Sequence, residues 1–314
     1  MHCLSFFHMN KRRTPFIHSI SKNPFFRAII VFIAGALILS SCAPRQIAPA
    51  PKPAKIALVL GAGASKGFAH IGVLKVLESH KIPIHMIVGT SVGSFVGSLY
   101  AYGYDAYQLQ TMSFSLTRDD LVDLTIPDNG FIRGEKLENY VNWALKNTPI
   151  EKLLIPFHAI ATNIQTGELV AFGTGNTGTA VRASCSIPGI FRPVVIADGT
   201  YVDGGVVSPV AVDTARKYGA DVVIAVDISS GLDGTVPRST METILQSVVI
   251  MHGKMSLIQL RKADVVIRPN VGYIGSADFS KRHEAILEGE KATLGAMPDL
   301  QRIISRLKEE GRLP

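Results

Sequence analysis

Cysteine, tryptophan and charged residues are all scarce in this sequence. Its 314 residues include three cysteines and one tryptophan, and only 18% are charged, whereas 47% are hydrophobic. So few cysteines exclude a disulfide-dense scaffold, and the apolar content excludes a disordered chain. Metal-binding patterns are also missing, namely HExxH, paired Cys/His sets and Asp-rich calcium loops. We therefore expect a globular chain with a sizeable core and with neither a metal nor an organic cofactor.

Positive charge is concentrated at the N-terminus. The formal net charge is +7, from 32 basic and 25 acidic residues. Five basic residues and no acidic residue precede position 42; they are Lys11, Arg12, Arg13, Lys22 and Arg27. The rest of the chain is therefore nearly neutral and lacks the electrostatic footprint of a nucleic-acid-binding protein. We expect no nucleic-acid partner.

The N-terminal region has the layout of a secretory leader. Its basic residues are followed by an uncharged apolar run at 28–39, which is shorter than the roughly 20 residues of a spanning helix. The next residues, Leu39-Ser40-Ser41-Cys42, resemble the lipobox of bacterial lipoproteins, in which the cysteine is lipidated and becomes the new N-terminus. The resemblance predicts a signal peptide at 1–41 and a lipidated Cys42. The alternative is an uncleaved N-terminal membrane helix.

Lipidation of Cys42 would attach the rest of the chain to a membrane. Two or more acyl chains give stable anchoring, whereas one chain binds only marginally. Residues 42–54 contain four prolines, which predicts an extended linker. Ala43, by resemblance to enterobacterial sorting, favours the periplasmic face of the outer membrane of a bacterial cell envelope. Once the leader is removed, Cys185 is the only thiol, and its small neighbours indicate a packed side chain.

Strand and helix patterns alternate along a single predicted domain at 55–314. Short apolar runs that end in Gly or Asp predict buried strands, and apolar residues at helical spacing predict the helices between them. This order predicts an α/β fold with a mainly parallel central sheet. The predicted strands are 55–60, 85–88, 157–163, 168–172, 221–227 and 265–267, and the predicted helices are 67–79, 92–102, one from Ser239 towards Arg261, and the tail after Lys281.

A glycine-rich segment joins the first strand to the first helix of this domain. It reads Gly61-Ala62-Gly63-Ala64-Ser65-Lys66-Gly67. Glycines at such a junction let backbone N–H groups face an anion at the helix N-terminus. The same spacing resembles a dinucleotide-binding fingerprint, with Glu78 as the ribose-binding acid. A nucleotide-binding oxidoreductase is therefore an alternative for this segment taken by itself.

The second strand leads into Gly89-Thr90-Ser91-Val92-Gly93. A serine between two glycines at a strand-to-helix turn is typical of a nucleophile elbow, which exposes the hydroxyl at the carboxyl edge of the sheet. Gly89 and Gly93 would relieve the crowding of this turn. The alternative is that Ser91 merely caps the following helix.

A nucleophilic serine needs a base, and histidine is not in a suitable place. His252 falls inside a predicted helix and His283 in a charged stretch, so neither lies on a recognisable strand-end loop. Asp203, which is followed by Gly204 and Gly205, supplies an acid directly. Taken alone, an acid before two glycines commonly marks only a turn.

Together, the glycine-rich segment, the elbow and the Asp-Gly-Gly motif resemble the patatin-like phospholipase family, and most closely its bacterial members related to neuropathy target esterase. The resemblance covers 55–314 and implies a three-layer fold and a lipid acyl hydrolase without cofactor. It implies that Ser91 attacks a phospholipid or other fatty acyl ester, that Asp203 accepts its proton, and that water releases the acyl-enzyme. Many members carry a glycine where this chain has Ala62. The implied oxyanion hole consists of backbone N–H groups of Gly61, Ala62, Gly63 and Ala64.

Three further expectations concern the surroundings of this site. Lys66 is either a solvated cation, which is the simpler interpretation, or a group that orients the loop or contacts a lipid phosphate. Residues 113–130, which contain leucines among acids, are a candidate cover for the site. A catalytically silent scaffold lipoprotein with the same fold is the remaining alternative, although Ser91 and Asp203 are both intact.

Overall fold

A computed structural model describes residues 24–40, 50–126, 129–229 and 236–314. The chain divides into two units, 1–50 and 51–314. Helix α1, Pro24–Ser40, is the described part of the first unit. Among the described helices, none combines the length and apolar character needed to cross a membrane. Cys42, Ala43 and most of the predicted linker lie outside the described residues.

The second unit alternates between strands and helices, as predicted. Its strands are β1 Ile56–Leu60, β2 Met86–Thr90, β3 Phe157–Asn163, β4 Leu169–Phe172, β5 Val194–Ile196, β6 Gly199–Asp203, β7 Val222–Val226 and β8 Val265–Ile267. Its helices are α2 Phe68–Ser79, α3 Val92–Tyr102, α4 Ala106–Ser115, α5 Arg118–Leu121, α6 Glu135–Ala144, α7 Thr177–Ser184, α8 Val212–Lys217, α9 Thr240–Gln259 and α10 Arg282–Glu309. Every predicted strand and helix has a counterpart here. The predicted cap of α9 is also present, because the Ser239 side chain accepts a hydrogen bond from the Glu242 N–H.

The strands form one mostly parallel sheet, which confirms the predicted fold class. Their order is β5-β6-β3-β2-β1-β7-β8, and β4 pairs with β3. Alternate residues of β1 face opposite sides, because strand side chains alternate with period two. Leu58 packs in the core shared with α2, α3 and α10, and Val59 packs against α8 on the other face. Helices therefore cover both faces of the sheet.

Two strands, β2 and β6, pair with the same edge of β3. Its residue Ile160 pairs with Thr90, the last residue of β2, and with Ala171 of β4. The next residue, Ala161, pairs with Asp203, the last residue of β6, and again with β4 on its other side. Because β4 occupies one edge throughout, Thr90 and Asp203 follow one another along the opposite edge. The last residues of β2 and β6 therefore meet end to end.

Some of this architecture was not predicted. The stretch 194–203, which reads as apolar and turn-rich, is the antiparallel hairpin β5–β6. Five helices also had no predicted counterpart: α4, α5, α6, α7 and α8. At the start of the unit, the Ala54 N–H donates to the Arg312 carbonyl at 2.9 Å, and Arg312 Nε donates to the Lys52 carbonyl at 3.1 Å. The last residues of the predicted linker are thus tied to the C-terminus.

Helices α2 and α10 approach each other closely through two glycines. A Cβ at Gly72 would clash with the Ile286 carbonyl oxygen, and a Cβ at Gly289 would clash with the Ala69 carbonyl oxygen. We predict that Gly72→Ala lowers the free energy of unfolding by about 1–3 kcal/mol, because the added methyl group overpacks this contact. Urea denaturation of the purified domain measures the change.

Gly295, in the same helix α10, is the matched control because no atom lies within 4 Å of a Cβ built there. Gly295→Ala should raise the free energy of unfolding by about 0.5–1 kcal/mol, since alanine favours a helix interior more than glycine does. Equal effects of the two substitutions would contradict the close helix contact.

Candidate active site

Ser91 occupies a strained turn between β2 and α3. Its φ of +54° and ψ of −126° lie outside the regions that L residues ordinarily adopt. A Cβ at Gly89 would clash with the backbone of α3, and a Cβ at Gly93 would clash with the Leu60 carbonyl oxygen at the end of β1. The two glycines thus let α3 begin immediately against the sheet. The Ser91 side chain makes no capping hydrogen bond to α3, so the alternative that it serves as a helix cap is wrong.

Two serine hydroxyl groups hold both peptide groups of Ser91. The Ser91 N–H donates to Ser184 Oγ of α7 at 2.9 Å, and Ser184 Oγ in turn donates to the Ile160 carbonyl. On the other side, Ser94 Oγ donates to the Ser91 carbonyl at 2.7 Å. These supports have no recognisable signal in the sequence by itself, because small serines next to a turn are common. They fix the strained backbone without using the Ser91 hydroxyl.

Asp203 is buried beside this turn. Its Oδ1 accepts a hydrogen bond from the Gly205 N–H at 2.7 Å, whereas Oδ2 has no hydrogen-bond partner among the described residues. Burial raises the pKa of Asp203 to about 7; the hydrogen-bonded Gly205 N–H and the hydroxyl of Ser91, which lies near without meeting the distance and angle of a hydrogen bond, favour the carboxylate and limit this rise. A carboxyl group with this pKa is half ionised near neutral pH. It is therefore a better proton acceptor than an ordinary aspartate.

The two glycines after Asp203 are required by packing. A Cβ at Gly204 would clash with the Ile160 carbonyl oxygen, and a Cβ at Gly205 would clash with the His252 ring. The Asp203 backbone is held as well, since Thr162 Oγ1 donates to its carbonyl at 3.0 Å. The Asp-Gly-Gly motif is thus more than a surface turn. His252 lies inside α9, as predicted, and burial lowers its pKa to about 4.

The glycine-rich segment requires a correction to the predicted oxyanion hole. The Gly61 N–H donates to the Val226 carbonyl at 3.0 Å, and the Ala62 N–H donates to the Pro209 carbonyl at 2.9 Å. These two donors are already used: the Gly61 N–H continues the pairing of β1 with β7, and the Ala62 N–H is bound by the loop that precedes α8. The N–H groups of Gly63 and Ala64 have no acceptor in the described parts of the chain. The candidate hole therefore consists of Gly63 and Ala64.

Lys66 requires a second correction. Only 3% of its surface is exposed, so it is not the solvated cation that the simpler interpretation predicts. It lies in a short 3₁₀ turn, Ala64–Gly67, between Gly63 and α2. At Gly67 a Cβ would clash with Val92 of the neighbouring elbow helix. The loop and the elbow therefore pack directly against each other. This packing favours the interpretation that Lys66 orients the loop.

His70 is a site residue that sequence reasoning missed. It is fully buried in α2, and its Nε2 lies 2.8 Å from the Gly61 carbonyl oxygen. Burial lowers the pKa of His70 to about 4, so the ring is neutral at pH 7. Nε2 must carry the proton, because the carbonyl can only accept. His70 thus holds the peptide unit that precedes the candidate oxyanion donors. A histidine nine residues after the first glycine was its only sequence signal.

An apolar cavity of about 240 Å³ opens beside Ser91. Three leucines of the candidate cover line it, which is consistent with the predicted cover: Leu116, Leu121 and Leu124. Residues 127–128 of the cover lie outside the described residues. Cys185 also lines the cavity, but burial raises the pKa of its thiol, which disfavours the reactive thiolate. In the described parts of the chain, no group of three or more His, Cys, Asp and Glu side chains could hold a metal ion.

A strained serine, a buried acid, free backbone N–H groups and an apolar cavity are together typical of serine hydrolases that cleave fatty acyl esters. Comparison with known families agrees. A sequence model described as patatin-like phospholipase matches residues 58–216. The chain therefore belongs to the patatin-like phospholipase family. The dinucleotide alternative fails: Glu78 lies near the end of α2, and its carboxylate accepts hydrogen bonds from the Ala106 N–H at the start of α4.

Individual relatives agree with this membership. The lysophospholipase NTE1 of Coccidioides immitis (strain RS) is 31% identical over 293 residues, which cover 82% of this chain and 18% of that protein. The lysophospholipase NTE1 of Meyerozyma guilliermondii is 32% identical over 262 residues, which cover 73% of this chain and 18% of its own length. This chain thus spans about a fifth of these relatives. In fold, it resembles VipD from Legionella pneumophila, with a TM-score of 0.55 at 15% identity, covering 80% of this chain and 67% of VipD.

We predict that His70→Leu slows the reaction of Ser91 with a fluorophosphonate by about tenfold or more, because the peptide that orients the oxyanion donors loses its anchor. His70→Gln should recover part of the rate, since its amide can donate to the same carbonyl. The second-order labelling rate, measured by intact mass, reports the effect, and thermal unfolding is measured in parallel.

The control is His80→Leu, because His80 ends the same helix and lies away from the loop. The rates should stay at the wild-type value in this variant. Equal rates for His70→Leu and wild type, with both proteins folded, would refute the anchoring role.

Proposed function

We propose that this protein is a membrane-tethered lipid acyl hydrolase that uses a Ser91–Asp203 dyad. One observation carries the proposal: Ser91, in its strained turn, lies close enough to the buried carboxyl group of Asp203 for its hydroxyl to favour the carboxylate, and Oδ2 of that group accepts no hydrogen bond from the described residues. The proposed substrates are phospholipids and other fatty acyl esters. Support for them comes from the apolar cavity beside Ser91 and from relatives named lysophospholipase.

Acylation begins when Ser91 Oγ attacks the ester carbonyl carbon and Asp203 Oδ2 takes up the hydroxyl proton. The carbonyl oxygen becomes an oxyanion that the N–H groups of Gly63 and Ala64 stabilise, and each such donor is typically worth about 3 kcal/mol. When the carbon–oxygen bond to the alcohol breaks, Asp203 returns the proton to the leaving oxygen. The product of this half-reaction is an acyl group on Ser91 and a free alcohol.

Deacylation repeats these steps with water. Asp203 accepts a proton from the water molecule, whose oxygen attacks the acyl carbon, and the same backbone donors stabilise the second oxyanion. Collapse of this intermediate returns the proton to Ser91 Oγ and releases the fatty acid. The pKa of Asp203, raised to about 7 by burial, gives the carboxylate more driving force for both proton transfers than an ordinary aspartate has.

The membrane tether is the lipidated Cys42. An apolar helix, α1, precedes it, and its length is below the roughly 20 residues of a spanning helix. We place the protein in a bacterial cell envelope, on the periplasmic face of the outer membrane, with residues 1–41 removed. Attachment at the membrane would keep the hydrolase next to lipid substrates.

For the dyad, we predict that a fluorophosphonate labels wild-type protein and fails to label Ser91→Ala, and that Asp203→Asn labels at least about a hundredfold more slowly because the proton acceptor is lost. Ser98→Ala is the matched control. Ser98 is buried in the same helix α3, and its hydroxyl donates to the Phe95 carbonyl. Labelling of Ser91→Ala at the wild-type rate would contradict the proposal.

The pH dependence follows from the pKa of Asp203. Because only the carboxylate can accept the proton, kcat/KM should fall tenfold per pH unit well below about pH 7 and level off above it. Hydrolysis of a soluble 4-nitrophenyl ester is followed across the range in which the protein stays folded. A rate that stays constant down to about pH 5 would contradict the raised pKa of the base.

For the tether, we predict that full-length protein made in a bacterial host incorporates an alkyne-labelled fatty acid and appears in the membrane fraction. Cys42→Ser should abolish both results, whereas Cys185→Ser should leave both unchanged because Cys185 is buried within the body. Mass spectrometry of the N-terminus reads out the cleavage. An intact leader on the mature protein, or lipid label on Cys42→Ser, would contradict lipidation at this cysteine.

A further inference from the structure

One face of α3 forms an apolar wall that begins at the nucleophile. Positions three and four apart share a helix face, and four such residues of α3 line the cavity: Val92, Phe95, Val96 and Leu99. Because α3 starts directly after Ser91, the cavity follows the axis of the helix that carries the nucleophile. An acyl group bonded to Ser91 would therefore extend along this wall.

Two buried leucines line the cavity at the end of α3 that is far from Ser91 and in the neighbouring helix α4. Leu99 is the last residue of α3 that lines it, and Leu109 is the first residue of α4 that does. Three residues, 103–105, connect these helices, and the two helices contact each other. Both leucines are buried, whereas Leu124 of the cover lines the cavity and is 72% exposed. The opening is thus on the side of Leu124.

The dimensions suit a single chain of limited length. Eight residues separate Ser91 from Leu99, which corresponds to about 12 Å along a helix with a rise of 1.5 Å per residue. An extended chain advances about 1.2 Å per bond, so an acyl chain of on the order of ten carbons has this length. The volume of about 240 Å³ is smaller than the roughly 300–1,000 Å³ of pockets for drug-sized ligands.

The polarity of the lining separates the tail of a substrate from its head. Among the described lining residues, Arg118 alone carries a charge, and it lies at the start of α5 in the cover. The wall along α3 and the leucines at its end offer hydrocarbon contacts only. A polar head group would lose its hydration there without compensation, so it stays at the opening.

We propose that this cavity is a channel for one acyl chain, that Leu99 and Leu109 form its floor, and that the protein therefore favours esters of medium-length chains. The proposal rests on the acyl-hydrolase function proposed above and adds to it the length of the preferred acyl group. Each methylene that enters the channel gains apolar burial, and a methylene beyond the floor gains none and forces the floor aside.

The test uses 4-nitrophenyl esters with butanoyl, octanoyl, decanoyl and palmitoyl chains, at concentrations below micelle formation. For wild-type protein, kcat/KM should rise by up to about fourfold per methylene until the floor is reached. It should then be at least tenfold lower for the palmitoyl ester than for the decanoyl ester. Fluorophosphonates with short and long alkyl chains test the same order through the labelling rate, without turnover.

Substitutions at the floor should move this optimum in opposite directions. Leu99→Ala and Leu109→Ala deepen the channel and should raise the palmitoyl-to-decanoyl ratio of kcat/KM by about tenfold. Leu99→Phe shortens the channel and should shift the optimum to the octanoyl ester. Leu74→Ala is the matched control, because Leu74 is fully buried in the same core and does not line the cavity. Its ratio should equal that of wild type.

The outcomes separate this proposal from the function on which it rests. Labelling at Ser91 together with an optimum at the palmitoyl ester would overturn the channel and leave the hydrolase intact. A folded Leu99 or Leu109 variant with an unchanged optimum would overturn the channel as well. If wild-type protein neither hydrolyses any of the esters nor reacts with the fluorophosphonates, both the function and the channel are wrong. Circular dichroism of each variant verifies folding. If the Leu99 variants unfold, Leu109→Ala still tests the floor of the channel.

Discussion

The pairing of β3 with two strands on one edge is the constraint on which the site depends. β2 ends at Thr90, opposite Ile160, and β6 ends with Asp203 opposite the next residue of β3. A serine that follows β2 and an acid that ends β6 are therefore neighbours by register. A shift of β6 by one residue would turn the carboxyl group to the other face of the sheet. The proposed dyad thus depends on strand pairing and needs no flexible loop to assemble it.

This register also accounts for the strained backbone of Ser91 and for the burial of Asp203. Two chain segments leave the sheet at the same place, so Gly89, Gly93 and Gly204 accept backbone contacts that no side chain would allow. The positive φ of Ser91 is sustained by two hydrogen bonds: Ser94 Oγ of α3 donates to the Ser91 carbonyl, and the Ser91 N–H donates to Ser184 Oγ of α7. The same crowding removes Asp203 from water, and burial raises its pKa. The strained backbone of Ser91 and the raised pKa of Asp203 therefore have one physical origin.

The sequence predicts the parts of this structure that depend on local patterns. Apolar runs ending in glycine marked β1 and β2, and the elbow and the Asp-Gly-Gly motif marked the two residues of the candidate dyad. What it could not predict depends on tertiary contacts. The Ala62 N–H is taken by the Pro209 carbonyl, and Lys66 is buried because the loop packs on α3. The strands β5 and β6 are too short for their alternation of apolar and polar residues to be recognised, although β6 ends with Asp203.

The central claim is that Ser91 and Asp203 act as one unit. A double-mutant cycle tests it most directly, with Ser91→Ala, Asp203→Asn and the double variant compared by kcat/KM on one soluble ester. If the two residues share the proton transfer, the double variant should be about as slow as Ser91→Ala, because removing the base costs nothing once the nucleophile is absent. Losses that multiply in the double variant would mean independent roles and would contradict the account.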